Sequence, residues 1–531
     1  MNHRCFFLLF AILLGCGKET PTAPDYHIDF DSFQEHLITL SQDSLLGRDT
    51  GTPGYDSASI HIERFLKNLG LKPGGINGSY RQDISFHQSR LVNNSSKLLI
   101  DGHELTYDQE YTMRAVKGVD SVNIEAPLVF AGFGLDNPDL GYSDLEQLDV
   151  TGKIVMIIRG APSSYDLVER AIATDFQLTN RKLKDLGALG VIRVIPKAYH
   201  SVRSWNILAN RAKRPRLTYD SPEDNLEIPS VSLHHQKAEE IFRRVGRDYE
   251  SVLDSLINGD PVSFEFGFDG ALNAKMNHQE LTSHNLAGII EGKDPDFRDV
   301  FLIITAHLDH IGVGSVENND SIYNGTLDNA SGSAALMVMA EALQNEPSIK
   351  RSIMFLWVTA EEKGLVGSEY FANYPTVEES QIVANLNIDG VIGMIVETQD
   401  VIAYGYEHSN LSHSVDYAVK QLGMKVSPDP QPELNIFVRS DQYSFVKQGY
   451  PALYVVSGRT AADPSLNGLE LFNNWLKYRY HKPSDDLDQP MSIPGIKREL
   501  EVNFLIAQHI VTRSDAIEWN RNSFLYHMFA N

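Results

Sequence analysis

The sequence lacks most of the features that would support covalent or redox chemistry. It has only two cysteines in 531 residues, Cys5 and Cys16. If Cys5 leaves with a cleaved signal and Cys16 is modified, neither a disulfide framework nor thiol chemistry is available. No G-x-S-x-G motif is present, which disfavours a serine hydrolase. Positive charge is scarce as well, and the formal net charge of -24 argues against nucleic acid or an anionic membrane surface as the main partner.

Long apolar runs are also missing, apart from a short one at the N-terminus. Phe6–Leu14 follows the basic Arg4 and is too short to span a bilayer, as in a cleaved signal. It leads into LLGC, which resembles the lipobox of bacterial lipoproteins and implies cleavage before Cys16 and acylation of that residue. A plain secretory signal is the alternative. We expect a protein of the bacterial cell envelope, held at the membrane only by this lipid anchor and facing the periplasm or the exterior.

The length predicts more than one domain, with ample chain for a large core. Changes in pattern along the chain indicate five parts. They are a lipoprotein signal (1–15), a tether (16–29), the first part of the main domain (30–115), an inserted smaller domain (116–268) and the part that carries the chemistry (269–531).

Four apolar runs in the last part predict β-strands separated by helical stretches. The runs are Val300–Thr305, Ile353–Thr359, Ile382–Ile388 and Pro451–Val456. This alternation predicts an α/β fold with a mixed, mostly parallel sheet and helices on both faces. In such sheets the ligand site lies beyond the carboxyl ends of the strands.

Histidines and carboxylates follow these runs at the positions where ligands would be needed. A catalytic zinc binds imidazole and carboxylate and keeps one position open, and a pair of metals usually shares a bridging carboxylate. The sequence therefore predicts a two-metal hydrolytic centre. Its expected ligands are His307, Asp328, Glu362, Asp389 and His481, with Glu361 as the general base.

Local spacing refines these roles. The adjacent carboxylates of Glu361 and Glu362 should point in different directions at a strand end, so that one binds metal and the other reaches water. In an extended segment, His307 and Asp309 share one side, so we expect the Asp309 carboxylate to accept the second ring N–H of His307. Asp328 precedes a helix rich in small residues, which favours a bridging role, whereas His310 is interpreted as a packing or surface residue.

Residues 284–489 resemble the zinc-dependent aminopeptidase family that includes aminopeptidase Y, secreted bacterial leucyl aminopeptidases and glutamate carboxypeptidase. The resemblance rests on the stretches SHNLAGIIEGKDP, ITAHLDHIG, NGTLDNASGSAAL, TAEEKGLVGSEYF, NLNIDGVIG, RSDQYSF and YHKPSDDLD, together with GRDTGTPG near the N-terminus. It implies a zinc exopeptidase-like fold, two Zn²⁺ ions per chain and removal of N-terminal residues from peptides.

The family's pattern also distributes the roles. It puts His307 and Asp389 on one zinc, Glu362 and His481 on the other, and Asp328 between them. Glu361 would then be the general base and Asp309 an orienting catalytic residue.

One position departs from the pattern. Gln442 stands where the family usually has histidine, which leaves the substrate side open. Tyr443 is a candidate for stabilising the oxyanion and Arg439 for pairing with a substrate carboxylate.

Residues 116–268 resemble the protease-associated domain that is inserted in several peptidase families. APLVFAGFG, DVTGKIVMIIRG, KLKDLGALGVIRV and IPSVSL carry this resemblance, which implies a non-catalytic domain that covers or gates the active site. We expect no metal cluster here, and we place His234 and His235 at an exposed helix start.

Three other functions are compatible with the pattern. A carboxypeptidase or dipeptidase could use the same centre, and a single-zinc cyclase or other acyl transferase could use the same fold. A non-enzymatic binding protein would be expected to lack ligands, and none is missing. The preferred terminal residue, the oligomeric state and the choice among zinc, cobalt and manganese stay open.

Overall fold

The computed structural model describes residues 28–202, 204–220 and 227–530. The signal, Cys16 and most of the tether lie outside the described residues. Before residue 120 the elements are α1 (Phe30–Leu40), α2 (Pro53–Leu69), β1 (Lys72–Pro73), β2 (Arg81–Leu91), β3 (Lys97–Ile100), β4 (His103–Glu104) and β5 (Tyr111–Met113).

Short strands and helices alternate through the following stretch of the chain. They are β6 (Ser121–Ala131), β7 (Asp136–Asn137), β8 (Tyr142–Ser143), β9 (Ile154–Ile158), α3 (Leu167–Ala173), α4 (Phe176–Asp185), β10 (Gly190–Ile195), α5 (Tyr199–Val202), α6 (Trp205–Ala212), β11 (Arg216–Tyr219), β12 (Ser230–His234), α7 (His235–Arg244) and α8 (Tyr249–Ile257).

The remaining elements begin with the longest strand of the described chain. They are β13 (Ser263–Ile290), β14 (Phe301–His307), β15 (Gly312–Glu317), β16 (Asp320–Tyr323), α9 (Gly332–Gln344), β17 (Ser352–Val358), α10 (Val366–Asn373), β18 (Ile382–Asn387), β19 (Asp400–Tyr404), α11 (Ser412–Gln421), β20 (Lys425–Val426), α12 (Gln442–Lys447), β21 (Ala452–Ser457), α13 (Gly468–Tyr478), α14 (Ile493–Thr512) and α15 (Phe524–Phe529).

The main sheet is mixed, with four parallel strands at its centre. Strands β17, β14, β18 and β21 run parallel in that spatial order. Antiparallel strands flank them, with β13 and β2 on one side and β19 on the other. The predicted mixed, mostly parallel α/β sheet is confirmed.

Alternating side chains of the central strands bury against helices on both faces. On β17, Phe355 and Trp357 belong to a core cluster that includes residues of α9 and α14. Their neighbours Met354 and Leu356 face the opposite cluster, which includes Phe371 of α10. A strand buried on both faces is apolar along its whole length, which explains the unbroken hydrophobic runs of the sequence.

Strand β13 also joins the main sheet to a second sheet. Its first part pairs with β3 and β6, and its last part pairs with β2 and β17. Strands β6, β9, β10 and β12 run parallel in the second sheet, which has its own apolar core around Phe130 and Phe242. The boundaries 116–268 for an inserted domain stay a prediction.

Among the described residues, no helix combines the length and the apolar character needed to cross a membrane.

A buried arginine in the GRDTGTPG segment connects the N-terminal region to the loops after β14 and β16. Arg48 is 1% exposed, and its guanidinium donates to the carbonyl oxygens of Leu308 (2.9 Å), Asn324 (2.6 Å) and Gly325 (3.1 Å), and to that of Leu40. Burial lowers the pKa of Arg48 to about 10, so the group stays charged at neutral pH. One side chain therefore holds three separate backbone segments together.

We predict that Arg48→Ala lowers the free energy of unfolding by about 3 kcal/mol or more, because each buried carbonyl left without a donor costs about 1–3 kcal/mol. Arg48→Lys should recover only part of this loss, since an ammonium lacks the planar fork of donors. Urea unfolding followed by circular dichroism measures the effect. Arg90→Ala, at an exposed position of β2, is the matched control. Equal effects of Arg48→Ala and Arg90→Ala would contradict this role.

Candidate metal centre

Three loops at the carboxyl ends of adjacent parallel strands carry most of the predicted site. His307 is the last residue of β14, and Glu361 and Glu362 follow the end of β17. Asp389 follows the end of β18. In the register of the sheet His307 lies opposite Val358, the last residue of β17. Parallel strands in register deliver these side chains to one edge of the sheet.

Asp328 and His481 come from outside the strands. Asp328 lies in a π-helical turn, Thr326–Ser331, that leads into α9. The carboxylate of Asp485 fixes this turn by accepting hydrogen bonds from the amides of Leu327 (2.9 Å) and Asp328 (3.1 Å). His481 follows α13 with a positive φ of 59°. Asp485 belongs to the YHKPSDDLD stretch, but sequence reasoning did not identify its role.

The five predicted ligands form two groups of three that share Asp328. Nε2 of His307 lies 3.2 Å from Oδ1 of Asp328 and 3.1 Å from Oδ1 of Asp389. Nε2 of His481 lies 3.1 Å from Oδ2 of Asp328 and 3.1 Å from Oε1 of Glu362. Each oxygen of Asp328 therefore faces a different histidine.

These distances fit a pair of divalent cations. Ligands about 2.0–2.2 Å from one tetrahedral ion lie about 3.3–3.6 Å from each other, and the observed N···O distances of 3.1 and 3.2 Å are only slightly shorter than that spacing. Asp328 is 7% exposed and shares its surroundings with the carboxylates of Glu361, Glu362 and Asp389. Buried negative charge at this density needs positive partners.

The protonation of His307 and His481 also indicates that this cluster needs positive charge. Burial lowers the pKa of His481, but Glu362 and Asp328 outweigh it and raise the pKa to about 9. His307 behaves alike, since Asp389 and Glu361 raise its pKa well above the ordinary value despite burial. A metal ion takes the place of such a proton when it binds.

The side chains of the adjacent Glu361 and Glu362 point in different directions. Ala360 has a positive φ of 59°, which turns the chain sharply before the pair. Glu362 reaches His481, whereas the Glu361 carboxylate makes no hydrogen bond or ion pair to the described residues. Burial raises the pKa of Glu361 well above its ordinary value, and His307 offsets this only in part. Burial also acts on Glu362, but the histidines hold its pKa well below the ordinary value.

The expected contact of the Asp309 carboxylate with the ring of His307 is wrong. Nδ1 of His307 lies 2.9 Å from the backbone carbonyl oxygen of Asp309. The carboxylate turns away and accepts hydrogen bonds from the amides of Glu361 (3.1 Å) and Glu362 (3.4 Å) and from Thr50 Oγ1 (3.3 Å). Asp309 thus orients His307 through its main chain and positions the two glutamates through its side chain. Burial raises its pKa to about 6.

His310 is a buried neighbour of the centre. Its side chain is fully buried, and its Nδ1 lies 2.9 Å from Oε1 of Glu362. One nitrogen of His310 also lies within 4.8 Å of ligand atoms of Asp328 and Glu362. We favour His481 as the ligand, because its Nε2 is 3.1 Å from both carboxylates. Burial excludes a surface position for His310, and its interpretation as a packing residue stays a prediction, since one of its nitrogens also lies near possible ligand atoms.

Gln442 lies beneath the centre and not on its substrate side. It is fully buried, accepts from Asn387 Nδ2 (2.9 Å) and donates to the carbonyl of Phe437 (2.6 Å). Asn387 also donates to Ser440 Oγ, which in turn donates to Oδ2 of Asp389 at 2.5 Å. The departure at Gln442 therefore concerns the support of Asp389, contrary to our expectation.

The two tentative substrate residues lie outside the ligand cluster. Tyr443 is 2% exposed, because α12 turns the face that carries it into the core. It packs in an apolar cluster with Phe529, and Asp175 lies beside its hydroxyl. Arg439 is exposed and donates to the carbonyl of Leu434. The substrate-side roles of Tyr443 and Arg439 therefore stay predictions.

Comparisons with known proteins agree with this geometry. By sequence, the chain is 25% identical over 296 residues to aminopeptidase YwaD of Bacillus subtilis (strain 168), covering 55% of this chain and 50% of that protein. Over 112 residues it is 35% identical to leupeptin-inactivating enzyme 1 of Streptomyces exfoliatus, covering 20% of this chain and 22% of that protein. The chain therefore spans half or less of these curated relatives.

The fold has a similar counterpart among solved structures. An aminopeptidase from Aneurinibacillus sp. strain AM-1 superposes with a TM-score of 0.52 at 18% identity, covering 92% of this chain and 95% of that one. Residues 285–503 match the model of peptidase family M28. This segment contains all five predicted ligand positions and the glutamate pair.

Proposed function

We propose that the protein is a zinc-dependent aminopeptidase that uses two metal ions and a glutamate base. The observation that carries the proposal is Asp328, whose two carboxylate oxygens lie 3.2 Å from Nε2 of His307 and 3.1 Å from Nε2 of His481. A carboxylate in this position can bridge two ions, each of which has one histidine and one further carboxylate. The match of residues 285–503 to the model of peptidase family M28 makes a peptide the expected substrate.

Zinc fits the donor set, which mixes imidazole with carboxylate. His307 and Asp389 would hold one ion, His481 and Glu362 the other, and Asp328 both. Zinc at such a site supplies Lewis acidity and lowers the pKa of a water ligand towards about 7.

The remaining chemistry falls to residues of the chain. Glu361 lies beside His307 and Asp389, and its carboxylate is free of partners among the described residues. It is therefore placed to take a proton from the attacking water and return it to the leaving amine. Asp309 keeps this carboxylate in position, because it accepts from the amide of Glu361 at 3.1 Å.

We predict that Glu361→Gln binds as much zinc as the wild type but lowers kcat by roughly 10²–10⁴, the usual contribution of a general base. Glu362→Gln should lose zinc as well as activity, because it removes a ligand. Metal content and steady-state kinetics on the same preparations separate the two cases. Glu369→Gln is the control, since this residue pairs with Lys447 outside the centre. Near-normal turnover in Glu361→Gln would refute the base assignment.

The preference for an N-terminal residue is supported by one relative, which is called aminopeptidase YwaD. A carboxypeptidase or dipeptidase is the second candidate, because the exposed Arg439 could pair with a substrate carboxylate.

A direct comparison of substrates distinguishes these activities. We expect the zinc-loaded protein to hydrolyse leucine p-nitroanilide and to leave N-acetyl-leucine p-nitroanilide intact, because an aminopeptidase recognises the free amine. Arg439→Ala should change kcat/KM for the anilide less than twofold. Hydrolysis of N-blocked dipeptides that depends on Arg439 would instead establish the carboxypeptidase or dipeptidase.

A further inference from the structure

A cluster of three histidines lies in the second sheet, in the region where the sequence predicts no metal cluster. His200 belongs to α5, and His234 and His235 lie where β12 passes into α7. One nitrogen from each ring lies within 4.8 Å of the others. The placement of His234 and His235 at a helix start is correct, but His235 is only 7% exposed. The structure assigns a third metal site to these three rings, separate from the M28 centre.

The topology explains why residues so far apart in sequence meet. Strands β10 and β12 are parallel neighbours, and Ile195 at the end of β10 lies opposite His234 at the end of β12. The chain then continues from β10 into α5, which brings His200 over the same edge. Ring centroids are 4.9 Å apart for His200 and His234, 5.0 Å for His200 and His235, and 4.5 Å for the adjacent pair. The site thus occupies the carboxyl edge of a parallel sheet, a usual place for ligands.

The hydrogen bonds around the rings leave ligand atoms available. Nδ1 of His235 lies 3.2 Å from Oε1 of Glu239, the carboxylate contact that commonly orients a metal-bound imidazole. Nε2 of His200 is buried and has no hydrogen-bond partner among the described residues. His234 accepts a long hydrogen bond of 3.3 Å from the amide of Gln236, which a metal ion would have to displace or accommodate.

The environment favours neutral rings, the form that binds metal. Burial and the neighbouring rings lower the pKa of His234 to about 4, and they also lower the pKa of His200. The ring of Trp205 packs against that of His234, with 5.0 Å between the ring centroids, and closes the cluster on one side.

Three imidazoles favour Zn²⁺ or a similar borderline cation over Ca²⁺ or Mg²⁺, with the fourth position left for water. In a tetrahedral zinc site the nitrogens lie about 3.3 Å apart. The three nitrogens lie within 4.8 Å of one another, so each pair would approach by at most about 1.5 Å to reach that separation.

Zinc stoichiometry of the full-length, tag-free protein tests this site. After removal of metal and equilibrium dialysis against Zn²⁺, we expect His200→Gln and His234→Asn each to bind one equivalent fewer than the wild type. Asparagine at position 234 preserves the helix cap, so this variant separates ligand loss from misfolding. His103→Gln, at an exposed position of β4, should bind as much zinc as the wild type.

The result is independent of the proposed catalytic centre. Asp328→Asn should lose zinc at the M28 centre and still show the one-equivalent difference when combined with His200→Gln. Equal zinc content in the wild type, His200→Gln and His234→Asn would overturn the third site. If the single variant Asp328→Asn loses zinc, that result concerns the catalytic centre and not the third site.

Discussion

The carboxylate of Asp328 lies between two histidines that come from different parts of the fold, and the rest of the centre is arranged around it. Its two oxygens face His307 and His481 at 3.2 and 3.1 Å. The carboxylate is 7% exposed, so its charge is poorly screened by water. The carboxylate of Asp485 holds Asp328 in position, because it accepts hydrogen bonds from the amides of the turn that carries Asp328.

Support for the centre comes from residues distant in sequence. Arg48 binds the carbonyls after β14 and β16, Thr50 reaches the Asp309 carboxylate, and Asp309 positions both glutamates. The N-terminal GRDTGTPG segment therefore contributes no ligand, yet it fixes two of the loops that do. Ligand geometry here depends on backbone contacts that a substitution far from the metals can disturb.

Much of the fold could be predicted because strands buried on both faces are apolar throughout. The four apolar runs match β14, β17, β18 and β21 to within two residues at each end. The convergence of His307, Glu362 and Asp389 followed from the rule that ligands gather at the carboxyl ends of parallel strands.

Other features depend on side-chain direction, which sequence spacing does not determine. The Asp309 carboxylate and the Gln442 amide turn to partners that only the folded chain supplies. The cluster of His200 with His234 and His235 joins residues of three elements, α5, β12 and α7, so no local motif marks it.

Anomalous diffraction at the zinc edge, from crystals of the zinc-loaded protein, tests the central claim most directly. At this centre we predict two zinc peaks about 3.5–4 Å apart, one on each oxygen of Asp328. A single peak at this centre, or two peaks there that do not share Asp328, would contradict the bridged arrangement.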